Sequence, residues 1–103
     1  MKFLILVKNR MGDFQLDDPL TIMKAAQDFL KTAVDEGVLD FVYEFATGDK
    51  AVAIANVDSA EELFERLTAY PLYTMQEYEV YPLADLDFVF EKRINYLQQL
   101  VLN

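Results

Sequence analysis

The stretch "VLDFVYEFA" at residues 38–46 sets Asp40 and Glu44 within an apolar run that reads as a β-strand. Side chains on a strand alternate between its two faces, so residues 40, 42, 44 and 46 fall on one side. Carboxylates placed this way can do proton-transfer chemistry. One of them removes a proton next to a carbonyl and returns it nearby, while a hydrogen-bond donor stabilises the intervening enolate. Glu44 is the expected base, because Ala46, Ala51 and Ala53 leave room beside it for a ligand, and Asp40 lies further along the same face. Lys8 is expected to stabilise an enolate or hold a carboxylate, and Tyr43, Tyr73 or Tyr78 to donate a hydrogen bond. The same residues also fit a plainer role. The acids could sit on a solvated strand face or pair with Lys50 or Arg10 at an interface, and the tyrosines could simply pack at a sheet edge.

The chain has no histidine and no cysteine. This removes the commonest general base, thiolate chemistry, Ser-His triads, disulfides and Cys-type zinc sites, and leaves proton transfer to Asp, Glu, Lys, Tyr or water. "DDP" at 17–19 lacks the spaced acids and turn glycine of a calcium loop. The three glycines, at 12, 37 and 48, each suit a turn or a helix cap, so no glycine-rich phosphate loop exists. No cofactor and no metal are expected.

Those residues need positioning by a small domain of 103 residues, 53% hydrophobic and 14% aromatic, rich enough in apolar side chains to fold. The net charge of −9 excludes a nucleic-acid groove and an anionic membrane surface, both of which need clustered Lys and Arg. The N-terminal run "FLILV" is too short for a signal segment or a bilayer span and reads as a buried strand; the expected location is cytoplasmic.

Residues 2–8 predict the first strand. Asp18 caps a helix with Pro19 in its first turn, Ile22, Met23, Ala26, Phe29, Leu30, Ala33 and Val34 form its apolar stripe, and Gly37 closes it. Before this helix runs a polar loop with Gly12 and Asp13. Strands at 38–46 and 51–57 are joined through "TGDK", and pairing Ala46 with Ala51 would set Glu44 against Ala53. Ser59 and Glu62 suggest a capping box for a second helix, with Ala60, Leu63, Phe64 and Leu67 facing the core and Pro71 ending it. Residues 75–83 form an edge strand, with Tyr78 and Val80 on one face and Glu77, Glu79 and Tyr81 on the other. A third helix starts near Leu86.

The order β-α-β-β-α-β plus a helix predicts an α+β, ferredoxin-like sandwich with an antiparallel four-stranded sheet over residues 1–84, and a C-terminal helix over 85–103. Two helices cover one face of such a sheet. The first strand, however, offers Phe3, Ile5 and Val7 to one side and Leu4 and Leu6 to the other, which leaves an apolar patch. Either the third helix folds back over it, or the sheet of a second copy packs against it. A homodimer or higher homo-oligomer is the expectation, with the third helix as an oligomer contact.

Residues 44–83, "EFATGDKAVAIANVDSAEELFERLTAYPLYTMQEYEVYPL", resemble the muconolactone isomerase family in the glycine turn, "VDSAEEL", "YPLY" and the strand ending "EVYPL". The resemblance extends more loosely over 1–84. It implies a ferredoxin-like subunit, dimers forming an α/β barrel, and the isomerisation of a lactone double bond. The expected function is a cofactor-independent isomerase of a small lactone or related metabolite. The alternative is a non-catalytic oligomeric module that binds a small ligand or assembles.

Overall fold

The structure is a computed structural model that describes residues 1–10 and 17–102; the loop expected around Gly12 and Asp13 lies outside the described residues. Strands β1 (Lys2–Asn9), β2 (Leu39–Glu44), β3 (Lys50–Asn56) and β4 (Gln76–Leu83) form one sheet in the order β2-β3-β1-β4. Every pairing is antiparallel. Helices α1 (Pro19–Asp35) and α2 (Ala60–Thr68) cross over one face, which gives the ferredoxin-like α+β sandwich.

Local chemistry sets the ends of these elements. Asp18 caps α1 by accepting the Thr21 N–H at 3.2 Å and the Thr21 hydroxyl at 2.8 Å, with Pro19 in the first turn. At the other end Gly37, with φ +78°, turns the chain so that its N–H reaches Val34 O and the Val38 N–H reaches Ala33 O. This pair of bonds is the Schellman closure that favours glycine. Ser59 caps α2 by accepting the Glu62 N–H at 3.1 Å. The Glu62 carboxylate accepts the Asp58 N–H at 2.8 Å, one residue before the cap rather than at it.

The core fills the space between helices and sheet. Phe3 and Ile5 of β1, Ala53 and Ala55 of β3, Leu39, Val57 and Leu63 are buried together, with Leu30, Ala33 and Leu67 packed against them. Phe64 does not join its neighbours: it is 63% exposed, because it sits about 100° around the helix from Leu63. Ala60 is exposed too. A short 3₁₀ turn at Tyr73–Met75, absent from the sequence reading, leads from α2 into β4.

The β2–β3 hairpin differs from its expected register. Glu44 faces Ala51 and Val42 faces Ala53, two residues from the pairing that joins Ala46 to Ala51. An even shift keeps each side chain on its face. A bulge does not, and one lies at Asp40: Phe41 pairs with Ile54 and Leu39 with Ala55, leaving Asp40 between them. Leu39 therefore turns into the core, and Asp40 leaves the face that carries Glu44.

The far side of the sheet has no helix over it. Leu4, Leu6, Phe41, Val52 and Ile54 are half-buried there, Tyr43 is 69% exposed and Tyr81 48%. Helix α3 (Leu86–Leu102), capped by Asp85, does not return to cover them; it has no buried residue and makes no extensive contact with another element. The radius of gyration is 18.2 Å, well above the roughly 13 Å of a compact domain this size.

Candidate functional site

Alanines decide where space is left. Ala51, Ala53 and Ala55 place three methyl groups on the helix-facing side of β3, between the larger Ile5 and Val7 of β1 and Val42 of β2. Helices resting on the larger side chains leave a gap above the smaller ones. A cavity of about 410 Å³ results, roofed by Phe29, Leu30 and Ala33 of α1 and by Leu63 and Leu67 of α2. That volume suits a small ring compound. Tyr70, Gln76 and Tyr78 line it as well, and Arg66 is the basic residue among its lining side chains.

One end of the cavity is polar. The Tyr78 hydroxyl donates to Gln76 Oε1 at 2.8 Å, Gln76 Nε2 donates to Asn9 Oδ1, and Asn9 Nδ2 donates to Glu44 Oε1 at 3.0 Å. Asn9 Nδ2 also reaches Gly48 O at 3.3 Å. The side chains run across the sheet from the edge strand β4, over β1, to the opposite edge strand β2. Beside them Tyr73 stacks on Tyr78 with ring centres 5.5 Å apart, and Tyr70 lies against Phe29 at 5.4 Å.

Both cavity tyrosines hold their protons more tightly than a free phenol. Burial pushes the Tyr70 pKa up, and the charge of Glu44 adds to it. Burial also raises Tyr78, followed by its neighbours Tyr70 and Tyr73. A phenol in this setting remains a neutral hydrogen-bonding group through the physiological range.

The candidate residues separate into two groups. Glu44 and Tyr78 lie on the helix side of the sheet, Tyr78 on the cavity wall and Glu44 beyond it at the far end of the Asn9–Gln76 bonds, and Tyr73 stacks on Tyr78. Lys8, Tyr43 and Asp40 lie on the open side: Lys8 pairs with Glu77 and Lys50, and Tyr43 with Val52. Asp40 meets Lys2 Nζ at 2.5 Å and also accepts from Asn56, at the end of the sheet away from Glu44. The Lys2 bond, then the Asn56 bond, hold the Asp40 carboxyl below its ordinary pKa. The expectation that Asp40 and Glu44 share a face is corrected by the bulge.

Three residues of the polar end were not singled out in the sequence: Asn9, Gln76 and Tyr70. Asn9 ends β1 and Gln76 opens β4, and neither carries a motif; their meaning comes from the antiparallel pairing that sets them opposite each other. Tyr70 had a signal in "YPLY", but not the information that Phe29 and Glu44 would flank it.

No family model matches the chain, and no curated relative does. Among solved structures it is similar to muconolactone isomerase, with a TM-score of 0.74 and 19% identity over 82% of this chain and 90% of that one. It is also similar to the 5-chloro-2-hydroxyhydroquinone dehydrochlorinase of Burkholderia phenoliruptrix AC1100, solved in complex with 2,5-dihydroxybenzoquinone. There the TM-score is 0.64 and the identity 17%, over 85% of this chain and 98% of that one. The four-stranded sheet with its two crossover helices is thus the fold this chain shares with muconolactone isomerase.

Proposed function

We propose that the chain is a cofactor-independent isomerase that shifts a double bond in a small lactone or related metabolite. The observation that carries this reading is the placement of Glu44. Its exposed carboxylate is held by Asn9 just beyond the cavity lining and is linked through Asn9 and Gln76 to Tyr78 on the cavity wall. Its charge also acts on the half-buried phenol of Tyr70, which lines the cavity as well. In the proposed reaction Glu44 takes the proton from the carbon α to the carbonyl. The released electron pair moves onto the carbonyl oxygen, where the Tyr70 hydroxyl stabilises the enolate by donating a hydrogen bond. Glu44 returns the same proton at the γ carbon, and the double bond moves without change in composition. Arg66, at the cavity wall, suits a carboxylate on the ligand.

Lys8, Tyr43 and Asp40 take a different role in this reading. Their face is the surface proposed to meet a second copy, sheet against sheet, in a dimeric α/β barrel, with the region 85–103 adding oligomer contacts. The half-buried apolar row across that face supports the assembly. A second reading, a non-catalytic oligomeric binding module, is favoured by α3, a helix with many exposed apolar side chains and no buried residue.

The test is turnover of muconolactone and a panel of small lactones by the purified protein and by Glu44→Gln. Turnover by the parent that is lost in Glu44→Gln supports the isomerase. Turnover unchanged by the substitution removes Glu44 as the base, and ligand binding without turnover favours the binding module.

A further inference from the structure

The direction of every hydrogen bond between Tyr78 and Glu44 is dictated from the carboxylate end. Asn9 faces two groups that can only accept, the Glu44 carboxylate and the Gly48 carbonyl, so its amide must present nitrogen to both. Its oxygen then faces Gln76, which must answer with its own nitrogen. This leaves the Gln76 oxygen toward Tyr78, whose hydroxyl must give up its proton. No link can reverse while Glu44 is ionised. Chains aligned head to tail in this way also polarise and strengthen one another.

The consequence falls on Tyr78, which lines the cavity. Its single proton is committed to Gln76, and among the described residues no donor other than itself is bonded at its oxygen. Toward the cavity the phenol therefore offers lone pairs alone. We infer that Tyr78 is a specificity residue that accepts a hydrogen bond from the ligand, so that the cavity selects small ring compounds bearing a hydroxyl or N–H over analogues that present only ether or carbonyl oxygens. This rests on the proposed reading of the cavity as the ligand site, and it narrows the candidate lactones and related metabolites to those that also carry a hydroxyl or N–H. It also reverses the role expected of Tyr78 from sequence, that of a donor.

Catechol and veratrole provide the probe. They share one ring and differ in whether the two oxygens carry protons or methyl groups. Each is titrated into the full-length protein and followed by NMR shifts of backbone amides around Tyr78, which reads binding without any need for turnover. The expected result is catechol binding about tenfold or more tightly than veratrole, since a site built around a hydroxyl penalises its loss strongly. Tyr78→Phe should bring the two affinities together. Gln76→Leu releases the Tyr78 proton, leaves the phenol able to donate, and should also narrow the gap. Equal affinities in the parent, a preference that survives Tyr78→Phe and Gln76→Leu, or saturable binding of neither probe overturns the inference. A protein that shows the preference but turns over no lactone sustains the inference and removes the isomerase alone.

Discussion

Asn9 and Gln76 face each other across β1 and β4, and their side-chain amides run head to tail toward Glu44. Neither residue ionises, yet together they fix where a carboxylate sits. Replacing Asn9 with Leu removes the donor to Glu44 and leaves the Gln76 nitrogen without its acceptor. Because Glu44 is solvent-exposed, the stability cost is modest, about 0.5–1 kcal/mol. Catalysis should suffer more: a base free to rotate loses its alignment, and kcat on any lactone found to react should fall at least about tenfold. Urea denaturation and steady-state kinetics on Asn9→Leu separate the two effects.

Gly37 makes a cleaner case, because a Cβ there would meet no atom within 4 Å. The cost of Gly37→Ala is then the local backbone strain of holding alanine at φ +78°, about 1 kcal/mol, with no clash against the rest of the fold. Gly37→Asn, which tolerates the left-handed region better, should cost less. A urea midpoint ordered Gly, then Asn, then Ala checks this, and equal midpoints for Ala and Asn would contradict it.

The legibility of the chain follows the range of the forces involved. Asp18, Pro19, Gly37 and Ser59 act within one helical turn of themselves, and each was readable where it stands. The two faces of β4 were readable as well, since Tyr78 and Glu77 fall on opposite sides by simple alternation. Alternation failed at Asp40, where an extra residue resets the parity of the strand and no neighbouring Gly or Pro announces it. The polar end of the cavity was half legible. Glu44 stood out as a carboxylate among alanines, but its partner Asn9 is 35 residues away and becomes its neighbour through the β1–β3 pairing.

Asp40 should make part of the protein's acid sensitivity. Its folded pKa is lowered, first by the bond from Lys2 and then by that from Asn56, so folding favours its charged form. The sign follows from proton counting: below the unfolded value of about 3.9 the unfolded chain binds the proton more readily. The stabilisation is thus present above that pH and is lost as pH falls through the lower, folded value. Asp40→Asn should be less stable than the parent at pH 7, and the gap should close below about pH 4. Urea midpoints for both proteins at pH 7 and pH 3 test this; a gap that widens in acid would refute the sign.

Ile54 occupies the middle of the open face, paired with Leu4 on β1 and Phe41 on β2. It is half-buried within the single chain, and α3 leaves it uncovered. Such a position separates two fates for the apolar sheet. If a second copy packs on it, Ile54→Lys buries an unpaired ammonium in the middle of the new interface, a change that costs several kcal/mol and cannot be relieved by moving to an edge. If the face is solvated, the same lysine extends into water over its neighbours and changes stability by little more than about 0.5 kcal/mol. We expect the first outcome. Sedimentation at micromolar concentration should show the parent as a dimer or larger and Ile54→Lys as a monomer with its circular dichroism intact. A parent that sediments as a monomer would remove the dimeric barrel while leaving the cavity and Glu44 where they are, because both are built from residues of one chain on the opposite side of the sheet.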